Sequence, residues 1–220
     1  MMIVDLRLYA LVDPERAGGH TLPDLARAVA AGGATLLQLR DKLGATRTMI
    51  ESARAIKAAT AGTGVPLLIN DRVDVALAAG ADGVHVGWDD MAVPDARRLL
   101  GPDAIIGLSM KTLEQARTAP LNLLDYVCVG GVFVTMSKNN PEPPIGVEGL
   151  RRIASEVRSR APGFLVGAIA GIDASNAEEV MAAGVDGVAV ISALSMTPDP
   201  AAAARDLRAV IDRGAARTRL

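Results

Sequence analysis

Acidic residues stand just past two apolar runs of this sequence, and cations, amides and hydroxyls stand just past several others. Leu67-Leu68-Ile69 stops at Asn70-Asp71-Arg72, and Gly83-Val84-His85-Val86 ends at Gly87, shortly before Asp89-Asp90. Between these runs Val73, Ala76, Leu77 and Gly80 fall on one face of a helix. The order is strand, polar tip, helix, strand, polar tip. In a parallel sheet the strand C-termini lie on one side, so Asp71 and Asp90 can face a common pocket. Two converging carboxylates beside cations suit a magnesium-assisted site for a phosphorylated substrate. Magnesium needs only one or two carboxylates, because water and phosphate oxygens complete its shell.

Those tips need strands and helices to hold them. Aliphatic runs predict strands over 8–12, 36–39, 67–69, 83–86, 105–108, 126–129, 165–168 and 188–191. Amphipathic spacing predicts helices over 22–31, 47–60, 73–80, 93–100, 112–119, 147–160, 175–182 and 200–213, with Thr21 and Thr46 as caps of the first two. Continuously aliphatic strands alternating with such helices indicate a parallel sheet covered by helices. Eight units without a linker in 220 residues predict an α/β fold, one single-domain (β/α)8 TIM barrel spanning 1–220, with an open doubly wound sheet as the rival. A repeat supports closure: Ala31-Gly32-Gly33-Ala34, Ala79-Gly80-Ala81-Asp82 and Ala183-Gly184-Val185-Asp186 each end a helix at glycine just before a strand. These junctions belong to the bottom of a barrel and read as stability elements.

Barrel chemistry sits at the opposite end. The strand tips there carry Gln38, Arg40 and Lys42; Asn70 and Asp71; Asp90; Ser109; Thr135, Met136, Ser137 and Lys138; Gly171; and Ile191 with Ser192. Arg40, Lys42 and Lys138 can neutralise a diphosphate. Gly171 and Ser192 follow the seventh and eighth strands, where bare backbone amides can approach a phosphate monoester. Two anion sites on one rim imply two phosphorylated substrates, or one long one. The tips hold no Ser-His-Asp or Cys-His set. Blander readings stand beside these: Asp71 as a cap for the next helix, and Arg40-Asp41-Lys42 as a solvated turn. The Gln38-x-Arg40-x-Lys42 alternation puts all three on one side of an extended strand, which favours a site.

The bulk composition narrows the classes. Half the residues are apolar, but only Trp88, Tyr9, Tyr126, Phe133 and Phe164 are aromatic, so an aliphatic core is expected. A formal charge of −2 gives no electrostatic case for nucleic acid or an anionic membrane as partner. A lone cysteine, Cys128, excludes an internal disulfide and fits a cytoplasmic location, and it reads as a buried strand residue. No apolar run approaches the roughly 20 residues that span a bilayer, and the first residues lack a signal-peptide pattern. His85 is expected to be a satisfied core histidine, Trp88 either a stacking lid or a rim contact, and the basic end from Arg213 a frayed terminus. Homo-oligomerisation is left open.

From Leu8 to about Arg208 the chain resembles the thiamine-phosphate synthase family. The pieces that carry the resemblance are Gly33-Ala34-Thr35-Leu36-Leu37-Gln38-Leu39-Arg40-Asp41-Lys42, Ile69-Asn70-Asp71-Arg72-Val73-Asp74-Val75-Ala76, Gly83-Val84-His85-Val86-Gly87, Asp89-Asp90-Met91, and Ser137-Lys138 followed by Pro143-Pro144-Ile145-Gly146. The resemblance implies that a hydroxymethylpyrimidine diphosphate is joined to a thiazole phosphate, releasing diphosphate. It implies that Gln38, Arg40, Lys42, Asn70, Ser109 and Lys138 hold the pyrimidine diphosphate, with Arg40, Lys42, Ser109 and Lys138 as the catalytic set. It further implies Mg2+ on Asp71 and Asp90, and thiazole phosphate on Thr135, Met136, Ser137, Gly171, Ile191 and Ser192. Several positions depart from the family pattern: Gly130-Gly131 for Gly-Pro, Val134-Thr135 for Pro-Thr, Ala170-Gly171 for Gly-Gly, Trp88 for a common Gln, and Met110-Lys111 for a small residue and a His. The alternatives are a tautomerase-like isomerase acting on thiazole phosphate, which is expected to need a His near Lys111, and a non-catalytic barrel that binds thiazole or thiamine phosphate.

Overall fold

A computed structural model describes residues 4–137 and 143–218. Strands and helices alternate as β1 (Leu8–Val12), α1 (Leu22–Ala31), β2 (Leu36–Leu39), α2 (Thr46–Ala59), β3 (Leu67–Asn70), α3 (Val73–Ala79), β4 (Gly83–Val86), α4 (Val93–Leu100), β5 (Ile105–Met110) and α5 (Leu113–Thr118). The second half continues with β6 (Tyr126–Val129), α6 (Gly146–Arg160), β7 (Leu165–Ile169), α7 (Ala177–Ala182), β8 (Gly187–Val190), a short α8 (Ser192–Ser195) and α9 (Pro200–Thr218). The eight strands are parallel and close on themselves, β8 pairing with β1, as a TIM barrel requires. The open-sheet rival is therefore excluded.

Helix ends follow local chemistry. The Thr21 side chain accepts the Asp24 amide at the start of α1, as expected, and Thr112 forms a reciprocal capping box with Gln115 on α5. Thr46 does not cap α2. It is the first residue of that helix, whose cap is Ala45, and its hydroxyl instead accepts from Arg72 at 2.9 Å. α9 runs on to Thr218, so the backbone past Arg213 is helical where a frayed end was expected.

The bottom of the barrel explains the repeat. Gly33, Gly80 and Gly184 all adopt positive φ. Asp82, Asp125 and Asp186 each accept a backbone N–H at 2.8 Å, from Leu67, Ile106 and Val166 respectively. Each of these carboxylates also pairs with a cation from a helix: Lys57, Arg97 and Arg158. These contacts tie the strand starts to the outer ring.

Aliphatic side chains fill the layer between helices and sheet, but the barrel interior departs from the expected aliphatic core. Tyr9 and Tyr126, two of the few aromatics, are fully buried there with rings edge to face, and His85 stacks on Tyr126. Gly107 makes room for them: a Cβ at that position would lie 2.1 Å from the Tyr126 ring. Register then decides which residues reach the mouth. Gln38 sits level with Leu11 and Leu68, Asn70 with His85, and Ser109 with Cys128.

Candidate active site

Above the tyrosines the strand tips open into one cavity of about 660 Å3. Gln38, Arg40, Asn70 and Ser109 line one side of it. Thr135, Met136, Ser137, Gly171, Ile191 and Ser192 line the other. Lys138 lies outside the described residues. Trp88 stands on the rim and is partly exposed, with Asp89 beside it.

Lys42, Asp71 and Asp90 are not in the cavity wall but form a shoulder next to Asn70. Asp71 has φ 60°, a left-handed conformation that turns its carboxylate back toward the strand ends. Its Oδ2 accepts from Lys42 Nζ and, at 2.6 Å, from Asn70 Nδ2. Asp71 does not cap α3, whose cap is Arg72 without a side-chain bond. Asp90 Oδ2 accepts the Gly87 amide at 2.8 Å. Partial burial, and then the hydrogen bond and charge of Asp71, push the Asp90 carboxyl above the usual aspartate range. Two oxygen donors in contact, one of them inclined to keep a proton, fit a divalent cation that would take the proton's place. No group of three or more His, Cys, Asp or Glu gathers among the described residues, so such a cation would draw its remaining ligands from water and substrate.

Arg40 enters the cavity already held. It donates to Asp13, which is 1% exposed and also caps the 3-10 turn Pro14–Arg16 through the Glu15 amide at 2.9 Å. Asp13 follows β1 and occupies the same kind of strand tip as the other site residues, although it is not among those expected from the sequence. Gln38 Oε1 is buried and has no hydrogen-bond partner among the described residues.

On the opposite wall Ser137 Oγ and Ser192 Oγ lie 2.7 Å apart, and the Ser137 amide donates to Thr135 Oγ1 at 3.2 Å. Arg16, also missed, crosses from the turn after β1 and donates to the Met136 carbonyl. Arg16→Ala is expected to loosen residues 135–137. Steady-state kinetics should show a severalfold higher KM for the phosphorylated substrate expected at the two serines, with the other KM unchanged. The loop after β6 is pinned to the end of β7 by Phe133 N to Ala170 O at 3.1 Å. Gly171 lies so close that a Cβ there would sit 2.4 Å from the Val134 carbonyl. Ala170 itself has φ 97°, which an L residue with a Cβ rarely adopts. Ala170→Gly should release on the order of 1–3 kcal/mol of strain against about 0.5–1 kcal/mol of added unfolded-chain entropy. A modest rise in Tm is expected, and a fall would show the alanine to be unstrained.

Across residues 8–194 the chain matches the sequence profile of the family described as thiamine monophosphate synthase. It is 56% identical over 209 residues to a thiamine-phosphate synthase of Agrobacterium fabrum, covering 95% of each chain. It is 49% identical over 208 residues to that of Albidiferax ferrireducens, covering 94% of this chain and 92% of the relative. The chain belongs to the thiamine monophosphate synthase family. Among solved structures, a thiamine phosphate pyrophosphorylase from Pyrococcus furiosus superposes with a TM-score of 0.83 at 37% identity, covering 96% of this chain and 97% of that one.

Within this synthase family the unusual tips have local explanations. Gly131 has φ 72° and packs against the Lys111 side chain, which a Cβ would approach to 2.7 Å. The Lys111 amide donates to Gln115 Oε1 at 2.6 Å, which fixes the end of β5. Cys128 is buried, and burial pushes its thiol up to about 12, in line with a strand residue without chemistry.

Proposed function

We propose that this barrel condenses 4-amino-2-methyl-5-hydroxymethylpyrimidine diphosphate with 4-methyl-5-(2-hydroxyethyl)thiazole phosphate, giving thiamine phosphate and diphosphate. The observation that carries the reading is the coexistence of two anion-handling groups on one cavity. Arg40, with the Lys42–Asp71–Asp90 shoulder beside it, serves the diphosphate. The Ser137–Ser192 pair and the amides near Gly171 serve the monoester.

The C–O bond between the pyrimidine methylene and the diphosphate breaks first, its electron pair leaving with the diphosphate. The carbocation left behind is stabilised by the electron-rich ring, and the thiazole nitrogen supplies the pair for the new C–N bond. Magnesium held by Asp71 and Asp90 would neutralise charge on the leaving diphosphate. Arg40, Lys42 and Lys138 add fixed positive charge where that negative charge develops. Gln38, Asn70 and Ser109 orient the pyrimidine, and Thr135, Met136, Ser137, Gly171, Ile191 and Ser192 hold the thiazole phosphate facing it. Among the described residues no helix is long and apolar enough to cross a membrane, and the lone cysteine suits a reducing cytoplasm as the place of the reaction.

The test is a product assay with both substrates, with and without magnesium, read by mass. Thiamine phosphate appearing only with metal is the expected result. No product under any condition, with thiazole phosphate still bound, would overturn the proposal in favour of a binding barrel.

A further inference from the structure

Two tyrosines and a histidine lie beneath the cavity, and neither phosphate nor magnesium requires them. Their polar atoms are nevertheless joined in a line. Ser109 Oγ lies 2.8 Å from His85 Nε2, and His85 Nδ1 lies 2.8 Å from the Tyr126 oxygen. The Tyr126 hydroxyl donates to the Tyr9 oxygen at 2.9 Å, and the Gln38 amide donates to the same oxygen from the far side. The line therefore ends at two residues of the pyrimidine wall, Ser109 and Gln38.

Counting protons gives the line a direction. Burial pushes both phenols above their ordinary range, so each keeps its single proton. Tyr126 uses its proton in the hydrogen bond to Tyr9, and the contact between Tyr126 and His85 must then be made by a proton on Nδ1. A neutral imidazole protonated at Nδ1 carries a lone pair on Nε2. That lone pair faces the Ser109 hydroxyl, drawing the serine proton inward and leaving the oxygen lone pairs turned to the cavity.

We propose that His85 is a positioning residue: held in its Nδ1–H form by Tyr126, it takes the Ser109 proton in a hydrogen bond and makes the Ser109 oxygen an acceptor for the exocyclic amine of the pyrimidine. The inference rests on the reading that Ser109 meets the pyrimidine. Its consequence falls on the departure of diphosphate. The amine shares its electrons with the ring as the carbocation forms, its N–H bonds become more acidic, and the hydrogen bond to Ser109 strengthens in the transition state. No proton is lost in this step. The amine keeps its hydrogens, and Ser109 keeps its own in the bond to Nε2.

The tautomer is read directly by 15N NMR of the whole protein, which has two histidines, with His85 assigned by comparison with His20→Gln. A protonated Nδ1 and a bare Nε2 are expected, and a proton on Nε2 overturns the proposal whatever the activity. Kinetics test the role. Tyr126→Phe keeps the ring against Gly107 but removes the partner of Nδ1–H, and is expected to lower kcat about five- to tenfold, the worth of one hydrogen bond. KM for thiazole phosphate should not change, and the factor should vanish in a Ser109→Ala background. A Tyr126→Phe effect that persists in full beside Ser109→Ala overturns the proposal. Failure of the underlying pyrimidine assignment looks different: Ser109→Ala alone would then turn over like the wild type while the Nδ1–H tautomer stands, and the proposal would fall with it.

Discussion

Asp71→Asn protein is expected to fold and to lose turnover by two to three orders of magnitude at saturating magnesium. The size follows from the chemistry assigned to the shoulder. Stabilising charge on a leaving group through fixed partners is worth about 3–4 kcal/mol per major contact, or roughly 10²–10³ in rate. Asparagine is the informative substitution because Asp71 sits at φ 60°, where Asn is tolerated. Alanine would add about 1–2 kcal/mol of backbone strain and confuse the result. The stability change has a distinct sign. Asp90 has a carboxyl raised in the folded protein by partial burial and by Asp71, so at neutral pH the charged pair weakens the metal-free fold, and acidification removes that penalty. Removing the Asp71 charge removes the repulsion, and the lost bridge is to a lysine 42% exposed to solvent, which limits its worth. Thermal unfolding without metal should therefore give a Tm no lower than the wild type, while the rise in Tm on adding magnesium should disappear. Retained turnover together with a retained magnesium-dependent rise would remove Asp71 from the metal site.

The parts of this protein that were legible in its sequence are those set by short-range periodicity. Aliphatic runs of three to five residues alternating with amphipathic stretches place every strand to within two residues, because in a closed parallel barrel each strand is buried on both faces. The tips followed from that, since the residue after an aliphatic run is the residue at the mouth. What stayed hidden depends on which strand faces which across the barrel. His85 was expected to be a satisfied core histidine, and it is satisfied, but by Ser109 on β5 and Tyr126 on β6, which puts it beneath the cavity. The match of Arg16 to the Met136 carbonyl spans 120 residues and has no local signature. Thr46 carried a cap residue's chemistry, but the helix begins one residue earlier and Arg72 uses the hydroxyl. Lys42, Asp71 and Asp90 were expected in the cavity wall with Arg40, and the left-handed turn at Asp71 gathers them on a shoulder beside it.

Asp13→Asn is expected to be the most damaging single change to stability in the site, costing about 3–5 kcal/mol. Asp13 is almost wholly buried and its partner Arg40 has a side chain only 12% exposed, so neither charge is well served by water. Asparagine can still accept the Glu15 amide that closes the turn after β1, but its NH2 group would face the guanidinium, donor against donor. A chain of this length loses about 2–4 °C of Tm per kcal/mol, so a fall on the order of 10 °C should appear in a thermal scan. A double variant, Asp13→Asn with Arg40→Met, removes the stranded charge and should recover most of that fall, because deleting both members of a buried pair costs far less than deleting one. Activity should not recover with it, since Arg40 is the cation proposed to reach the diphosphate. Inorganic diphosphate with magnesium supplies the opposite test: it should raise the Tm of Asp13→Asn, whose arginine lacks a partner, by more than it raises that of the double variant. Equal shifts in the two proteins would mean that Arg40 does not meet the diphosphate. The unequal shift would show that one guanidinium is traded between a structural carboxylate in the free enzyme and a substrate anion in the complex.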